Sequence, residues 1–138
     1  MNSFNLRIYE SDGVFYEGEV IKLTIPAYDG EYGIWAGHEN VVMAVVPGIL
    51  RFTTFEEKTY LASVSNGMFR VEDGDVLVLV ETAERPEEID VERARRKEKE
   101  ARDAMQEKKS LREYRLAEMQ LKRELVRLKL AGKETLED

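Results

Sequence analysis

Val20-Ile21-Lys22-Leu23-Thr24-Ile25 is the stretch of sequence that decides how the first half of the chain folds. Its odd-numbered residues are apolar and alternate with the polar Lys22 and Thr24. A period of two places the apolar side chains on one face of an extended chain and the polar ones on the other. The pattern therefore predicts a β-strand with one buried face.

Similar short runs fill the rest of the first half, and turn dipeptides separate them. The other predicted strands are Phe4–Tyr9, Val41–Val46, Ile49–Phe55, Thr59–Val64, Met68–Glu72 and Val76–Thr82. The turn dipeptides are Asp12-Gly13, Asp29-Gly30, Pro47-Gly48, Asn66-Gly67 and Asp73-Gly74, and we expect their glycines to adopt a positive φ. Many short strands without a helix between them predict an antiparallel β-sandwich or a flattened barrel over residues 1–84.

The sequence changes character after Pro86. Glycine is absent until Gly132, and 30 of the last 54 residues are charged, with Ala, Leu and Met among the remainder. These are strong helix formers, so residues 85–138 are predicted to be helical. The fold class is therefore α+β by segregation, with the β-sandwich followed by a C-terminal antiparallel two-helix hairpin.

The two helices of the hairpin have recognisable ends. The first is predicted to begin at Pro86 and to run to about Glu107, with a break at Lys108-Lys109-Ser110. The second is predicted from about Leu111 to Ala131, with Ser110 as its N-cap and Gly132 as its end. Their apolar faces are thin: Ile89, Ala94, Ala101, Ala104 and Met105 on the first, and Tyr114, Ala117, Leu121, Leu125 and Leu128 on the second. Alanine buries little area, so we expect a weakly docked hairpin.

Charge and composition exclude several functions. The formal net charge is −7, which argues against a nucleic-acid partner because phosphate binding needs a surplus of cations. The acidity is concentrated in residues 1–84, with 14 acidic and 5 basic residues. The longest apolar runs, Val41–Val46 and Val76–Val80, are too short to cross a membrane, so any membrane association is expected to be indirect.

Catalytic and metal-binding motifs are missing from the sequence. There is no cysteine and His38 is the single histidine, so no ordinary zinc site is expected. Gly13 and Gly18 have the spacing of a phosphate loop, but Glu19-Val20 follows where that loop needs Lys and Ser or Thr. We therefore expect no metal site and no enzymatic activity.

A basic stripe lies along the second predicted helix. It consists of Arg112, Arg115, Lys122 and Lys129, whose spacings of three and seven place them on one side of a helix. The stripe could bind an acidic partner or could be a solvated face, whereas the cations within residues 85–102 are interpreted as a solvated face.

Several segments, taken together, resemble one family. They are Gly30-Glu31-Tyr32-Gly33-Ile34-Trp35-Ala36-Gly37-His38, Pro47-Gly48-Ile49-Leu50, Ser65-Asn66-Gly67-Met68-Phe69-Arg70-Val71 and Thr82-Ala83-Glu84-Arg85. They are similar to the G-E-x-G-I-x-P-G-H, P-G-x-L, S-G-G-x-x-x-V and T-A-E-R segments of the epsilon subunit of bacterial F-type ATP synthases. The similarity extends over essentially the whole chain.

The resemblance implies a role in a rotary machine. It implies a ten-stranded sandwich that binds the shaft (gamma) subunit and the membrane rotor ring of c subunits, with Glu31 and His38 in loops facing the ring. It also implies a peripheral location at the cytoplasmic face of the bacterial cell membrane, coupling to proton or sodium transport, and no required cofactor. The hairpin would either fold against the sandwich or extend to the alpha and beta subunits, where the basic stripe would contact beta and hydrolysis of ATP would be inhibited. A free-standing nucleotide-sensing adaptor is the alternative.

The resemblance also implies a site for regulatory ATP, with or without Mg²⁺. Ile89-Asp90-Val91-Glu92-Arg93-Ala94 is similar to the I/L-D-x-x-R-A motif with which several bacterial epsilon subunits bind ATP. The motif supplies Ile89, Asp90, Arg93 and Ala94, and the positions matching the rest of that site are Glu84, Arg123 and Arg127. Glu100 departs from the family by replacing an arginine. The alternative is that Asp90 and Arg93 only make a pair with each other within the helix.

Overall fold

The computed structural model of the chain describes residues 2–107 and 110–133. Within these ranges nine strands precede two helices, which confirms the predicted fold class. The strands are β1 (Phe4–Glu10), β2 (Gly13–Ala27), β3 (Gly30–Trp35), β4 (Val41–Val45), β5 (Gly48–Thr54), β6 (Thr59–Val64), β7 (Gly67–Glu72), β8 (Asp75–Val80) and β9 (Ala83–Glu84). The helices are α1 (Val91–Glu107) and α2 (Leu111–Lys133), and a 3₁₀ turn at Pro86–Glu88 precedes them.

Strand β2 builds the sandwich because it belongs to both layers. Its first half pairs with β1, and its second half lies between β5 and β3. The hydrogen-bonded order is β4-β7-β8-β1-β2-β5-β6-β9, with β3 added on β2. The described residues form nine strands, one fewer than the ten that the family resemblance implies. The β1–β8 pair is parallel, so the sandwich is not antiparallel throughout.

Because of a bulge in β2, the burial of its residues differs from the alternation that the sequence predicts. The register of β2 against β5 shifts between Val20 and Lys22, and such a shift bends a strand. Val20 is buried before the bulge, while Ile21 is only half-buried. Thr24, predicted to face outward, is buried where β2 lies between its two neighbours. The prediction for Leu23 and Ile25 is confirmed, because both are fully buried.

The glycines of the turn dipeptides have two different roles. Asp73 and Gly74 have φ angles of 51° and 88°, as the connection of β7 to β8 requires. Gly48 and Gly67 do not adopt a positive φ, so that part of the prediction is wrong. Gly67 is needed for another reason: a Cβ there would overlap the backbone of Leu79 and Val80 on β8.

The helix ends differ from the prediction at two places. Pro86 opens the 3₁₀ turn and not α1, because the chain is extended at Ile89 and α1 starts only after Asp90. Ser110 caps α2 as predicted, with its Oγ 3.0 Å from the Glu113 amide. However, α2 continues through Gly132, so the predicted end at Ala131 is wrong. The predicted break at Lys108-Lys109 lies outside the described residues.

Substituting Gly67 tests the close approach of β7 to β8. We expect Gly67→Ala to lower the free energy of unfolding by about 1–3 kcal/mol, because backbone atoms cannot move aside for the added methyl group. Gly33→Ala is the matched control, since its Cβ would meet only the half-exposed Trp35 ring, which can rotate away. Urea denaturation of both variants measures the difference. Equal losses would contradict this account of Gly67.

Candidate functional site

The hairpin is docked against one layer of the sandwich through α2. Helix α2 contacts β5, β6 and the 3₁₀ turn, and α1 packs mainly on α2. The buried apolar residues of the helices are Ala94, Ala101, Ala117 and Leu130. Burial is therefore confirmed for three of the predicted alanines, whereas Ala104 and Leu125 are exposed, contrary to prediction. This small apolar surface agrees with the predicted weak docking.

A polar cluster joins α2 to the sandwich, and we call it the latch cluster. Its centre is Arg127, whose Nε donates to Glu84 Oε1 at 2.5 Å and whose Nη1 donates to Glu124 Oε2 at 2.7 Å. Gln120 Nε2 donates to the same Glu124 oxygen, and Arg123 Nη2 donates to Gln120 Oε1 at 3.0 Å. Since Glu84 lies on β9, the Arg127–Glu84 bond links the hairpin directly to the sandwich.

The charge of Arg127 is stabilised in this cluster. Burial lowers the pKa of its guanidinium, but the hydrogen bonds and charges of Glu84 and Glu124 outweigh that effect and raise the pKa above its ordinary value. The Glu124 side chain is only 1% exposed, so its carboxylate depends on these partners. Arg123 Nε is buried and has no hydrogen-bond partner among the described residues. Arg123 therefore retains an unused donor.

Glu124 and Gln120 were not predicted from the sequence. The inner face of α2 was predicted from its apolar residues alone, and that criterion leaves out a charged residue on the same face. A usable signal existed, because Glu124 follows the buried Ala117 by seven residues, which returns to nearly the same side of a helix. A carboxylate at such a position indicates a buried ion pair.

The motif residues Ile89, Asp90, Arg93 and Ala94 lie at the start of α1, where Asp90 caps the helix. Asp90 is the N-cap, with its Oδ1 accepting from the Arg93 backbone amide at 3.0 Å. Asp90 and Arg93 therefore do pair with each other at the start of the helix, through the Arg93 backbone amide. Ala94 is buried, Ile89 is half-buried and the Arg93 side chain is exposed.

The two halves of the predicted ATP site are not directly bonded. Glu84 and Arg127 are brought together, and Arg123 joins them through Gln120. Among the residues that the structure describes, no hydrogen bond or ion pair connects Asp90 or Arg93 with Arg123 or Arg127. Glu100 is exposed, so its charge is directed to solvent.

Glu31 and His38 lie in different kinds of structure. His38 is in the loop after β3, where its Nδ1 is 2.7 Å from the Glu39 carbonyl oxygen and its Nε2 is 2.7 Å from the Tyr32 hydroxyl. The carbonyl can only accept, so Nδ1 donates, and in the neutral ring Nε2 accepts from Tyr32. Glu31 is on strand β3 and binds Arg51 at 3.2 Å, so the expectation that it lies in a loop is wrong.

The basic stripe is available to solvent in the docked hairpin. All four of its side chains, Arg112, Arg115, Lys122 and Lys129, are exposed. Within residues 2–107 and 110–133 none of them forms an ion pair or a side-chain hydrogen bond. The stripe is thus free to meet an acidic surface.

The segment between the sandwich and α1 is anchored at its first residue. The Arg85 guanidinium lies 5.7 Å from the centre of the Phe15 ring, and the Arg85 amide donates to Glu88 Oε1 at 2.9 Å. Beside it is an aromatic cleft of about 770 Å³ between β2 and the β5–β6 connection. Tyr16 lines this cleft, and burial, followed by Tyr60 and Glu56, raises its pKa above the ordinary value.

The described residues contain neither a metal site nor a membrane-spanning helix. No group of His, Asp and Glu residues in the described parts of the chain could hold a metal ion. Neither described helix is long and apolar enough to cross a bilayer.

Comparisons with known proteins agree over both parts of the chain. Residues 3–86 match the family model described as "ATP synthase, Delta/Epsilon chain, beta-sandwich domain", and residues 87–132 match "ATP synthase, Delta/Epsilon chain, long alpha-helix domain". The ATP synthase epsilon chain of Persephonella marina is 37% identical, with 94% of this chain and 96% of that protein covered. The epsilon chain of Ruminiclostridium cellulolyticum is 35% identical, with 93% and 95% covered.

A solved structure shows the same similarity. It is a chain from the cryo-EM structure of the Euglena gracilis mitochondrial ATP synthase, OSCP/F1/c-ring in rotational state 1. The TM-score is 0.80 at 29% identity, with 94% of this chain and 81% of that chain covered.

Removing the central cation tests the latch cluster. We expect Arg127→Met to weaken hairpin docking by about 3–5 kcal/mol, because it leaves the Glu124 carboxylate buried without its cation. Amide hydrogen exchange in α2 and β6 should accelerate. Lys129→Met on the same helix is the control, since Lys129 is exposed. Unchanged exchange in Arg127→Met would show that the cluster does not hold the hairpin.

Proposed function

This chain belongs to the ATP synthase delta/epsilon chain family, and we propose that it is a non-catalytic central-stalk subunit of a bacterial rotary ATP synthase, with an inhibitory mobile hairpin. The nearly full-length similarity to bacterial epsilon chains supports the stalk assignment. The proposed regulation is that the hairpin inhibits ATP hydrolysis after it leaves the sandwich. In this role the chain changes position and makes or breaks no covalent bond.

One observation carries the proposal: the sandwich has a hydrophobic core of its own. The core cluster is formed by residues of the first 83, including Leu6, Ile25, Leu50 and Phe69. No residue from the described parts of α1 or α2 belongs to it. The hairpin can therefore separate without exposing this core, and among the described residues the latch cluster and a few apolar contacts oppose its release.

The proposed partners are those that the family resemblance implies. The sandwich would bind the gamma shaft and the ring of c subunits, with Glu31 and His38 on the ring side, and would couple the shaft to proton or sodium transport. The released hairpin would reach the alpha and beta subunits, where the basic stripe would contact acidic residues of beta. Such a subunit would be peripheral at the cytoplasmic face of the cell membrane.

ATP, alone or with Mg²⁺, is the proposed regulatory ligand of the docked hairpin. Its phosphates would be bound by Arg93, which is exposed, and by Arg123, which has an unused donor. Binding to the docked state alone would shift the population toward it. Loss of ATP would then lower the free energy that opposes release of the hairpin in the assembled synthase.

Titration of the isolated protein with ATP tests the nucleotide site. We expect Arg93→Ala to weaken binding at least about tenfold, because a charged hydrogen bond to phosphate is lost. Asp90→Asn removes the carboxylate but keeps an N-cap, which separates ligand binding from helix stability. Arg96→Ala, another exposed arginine of α1, is the control. Equal affinity in all of these proteins would remove the proposed site.

Neutralising the basic stripe tests the contact with the catalytic subunits. In the assembled synthase we expect replacement of all four cations by Gln to relieve inhibition of ATP hydrolysis several-fold. The inhibition by the unmodified chain should weaken as salt rises, since the attraction between exposed charges is screened. The control replaces Arg95, Arg96 and Lys99, which are exposed on α1. Inhibition that persists unchanged without the stripe would contradict the proposed contact.

A further inference from the structure

Glu124 is an unusual residue in this hairpin because it is a carboxylate buried where the other inward positions are small or apolar. It is 1% exposed, and one of its oxygens accepts from both Gln120 and Arg127. A buried carboxylate is unfavourable unless it is paired and hydrogen-bonded. Both partners lie on α2 itself, so Glu124 keeps them in the docked and the released hairpin, and docking buries the three groups together.

The formal charges around Arg127 are balanced without any ligand. Glu84 and Glu124 both bind its guanidinium, and Arg123 supplies the second positive charge of the cluster. The formal charges of two carboxylates and two guanidinium groups sum to zero. The latch cluster by itself therefore has no excess positive charge with which to bind a phosphate group.

Glu124 also lies at the level of the nucleotide motif. Ala94 on α1 and Glu124 on α2 are equally far along the chain from the connection between the helices, and both are buried. In an antiparallel hairpin such residues stand at the same height, and the small Ala94 leaves room for a longer side chain opposite. The Glu124 carboxylate thus lies at the same height along the hairpin as the motif.

We propose that Glu124 is a built-in anion that takes the place of a bound phosphate at Arg127, so that the hairpin stays docked without nucleotide. The carboxylate is attached to α2 itself, so docking needs no ligand from solution. The predicted response of a Glu124 variant to ATP rests on the proposed function, whereas docking without nucleotide does not.

The experiment follows docking directly in the full-length chain. Because the sequence has no cysteine, a donor and an acceptor dye can be attached to cysteines introduced at Tyr28, which is 84% exposed, and at Arg115 on α2. Energy transfer between them reports the docked fraction with and without ATP. Glu124→Gln keeps the shape of the side chain and removes its charge, and Glu118→Gln is the matched control on the exposed side of α2.

We expect the original chain and Glu118→Gln to be docked without ATP, and ATP to add little. In Glu124→Gln the docking equilibrium constant without ATP should fall about tenfold or more, because docking would then bury the Arg123 and Arg127 guanidinium groups with only the Glu84 carboxylate to balance them. Added ATP should restore docking in that variant. Glu84→Gln weakens the latch cluster from the sandwich side and leaves the sequence of α2 unchanged. If Glu124→Gln acts only by reducing helix formation, circular dichroism will show a loss of helix that Glu84→Gln does not share.

The outcomes separate the two proposals. Full docking of Glu124→Gln without ATP would overturn the inference, and the titration of Arg93→Ala would still judge the nucleotide site. Release of Glu124→Gln that ATP does not reverse would support the built-in anion and count against ATP as the regulatory ligand. Release that ATP reverses supports both.

Discussion

The Arg127 guanidinium binds two carboxylates from different parts of the chain, and the position of the hairpin on the sandwich depends on this contact. Glu84 comes from the last strand of the sandwich and Glu124 from the helix that carries Arg127 itself. Release of the hairpin breaks the Arg127–Glu84 bond and leaves Arg127 with Glu124, its partner on the same helix. A single bond of this kind suits an element with two positions, because the half-buried Arg127 pairs with the sandwich only when the hairpin is docked.

The sandwich does not need the hairpin for its own core, so this contact can form or break without disturbing the sandwich. The bulge near Ile21 bends β2 so that one strand serves both layers, and the layers enclose a core that needs nothing from the helices. The helices bury mainly alanine against each other. Stability is thus concentrated in the sandwich, and the hairpin depends on a small number of polar bonds for its position.

The sequence predicts the sandwich and the hairpin because both follow from local periodicity. The strands Phe4–Glu10 and Thr59–Val64 are found nearly where the alternation places them. Long-range effects were not predictable: the bulge that half-exposes Ile21 depends on pairing with β5, and the extended Ile89 depends on how the chain leaves the sandwich. In the candidate site, Glu84 and Arg127 came from the family resemblance, whereas Glu124 was indicated only by its place seven residues after Ala117. The sequence does not show which groups would pair with a carboxylate there, because that depends on contacts formed in three dimensions.

The short segment between β9 and α1 limits what the hairpin can do. Arg85 to Asp90 are six residues, which span roughly 20 Å at most when fully extended. A detached hairpin therefore remains close to its own docking surface, at an effective concentration on the order of millimolar. Rebinding is then an intramolecular event that diffusion of a partner does not limit. Any competing surface must act within the reach of this tether, which makes the time spent away from the sandwich a property of the linker as much as of the partner.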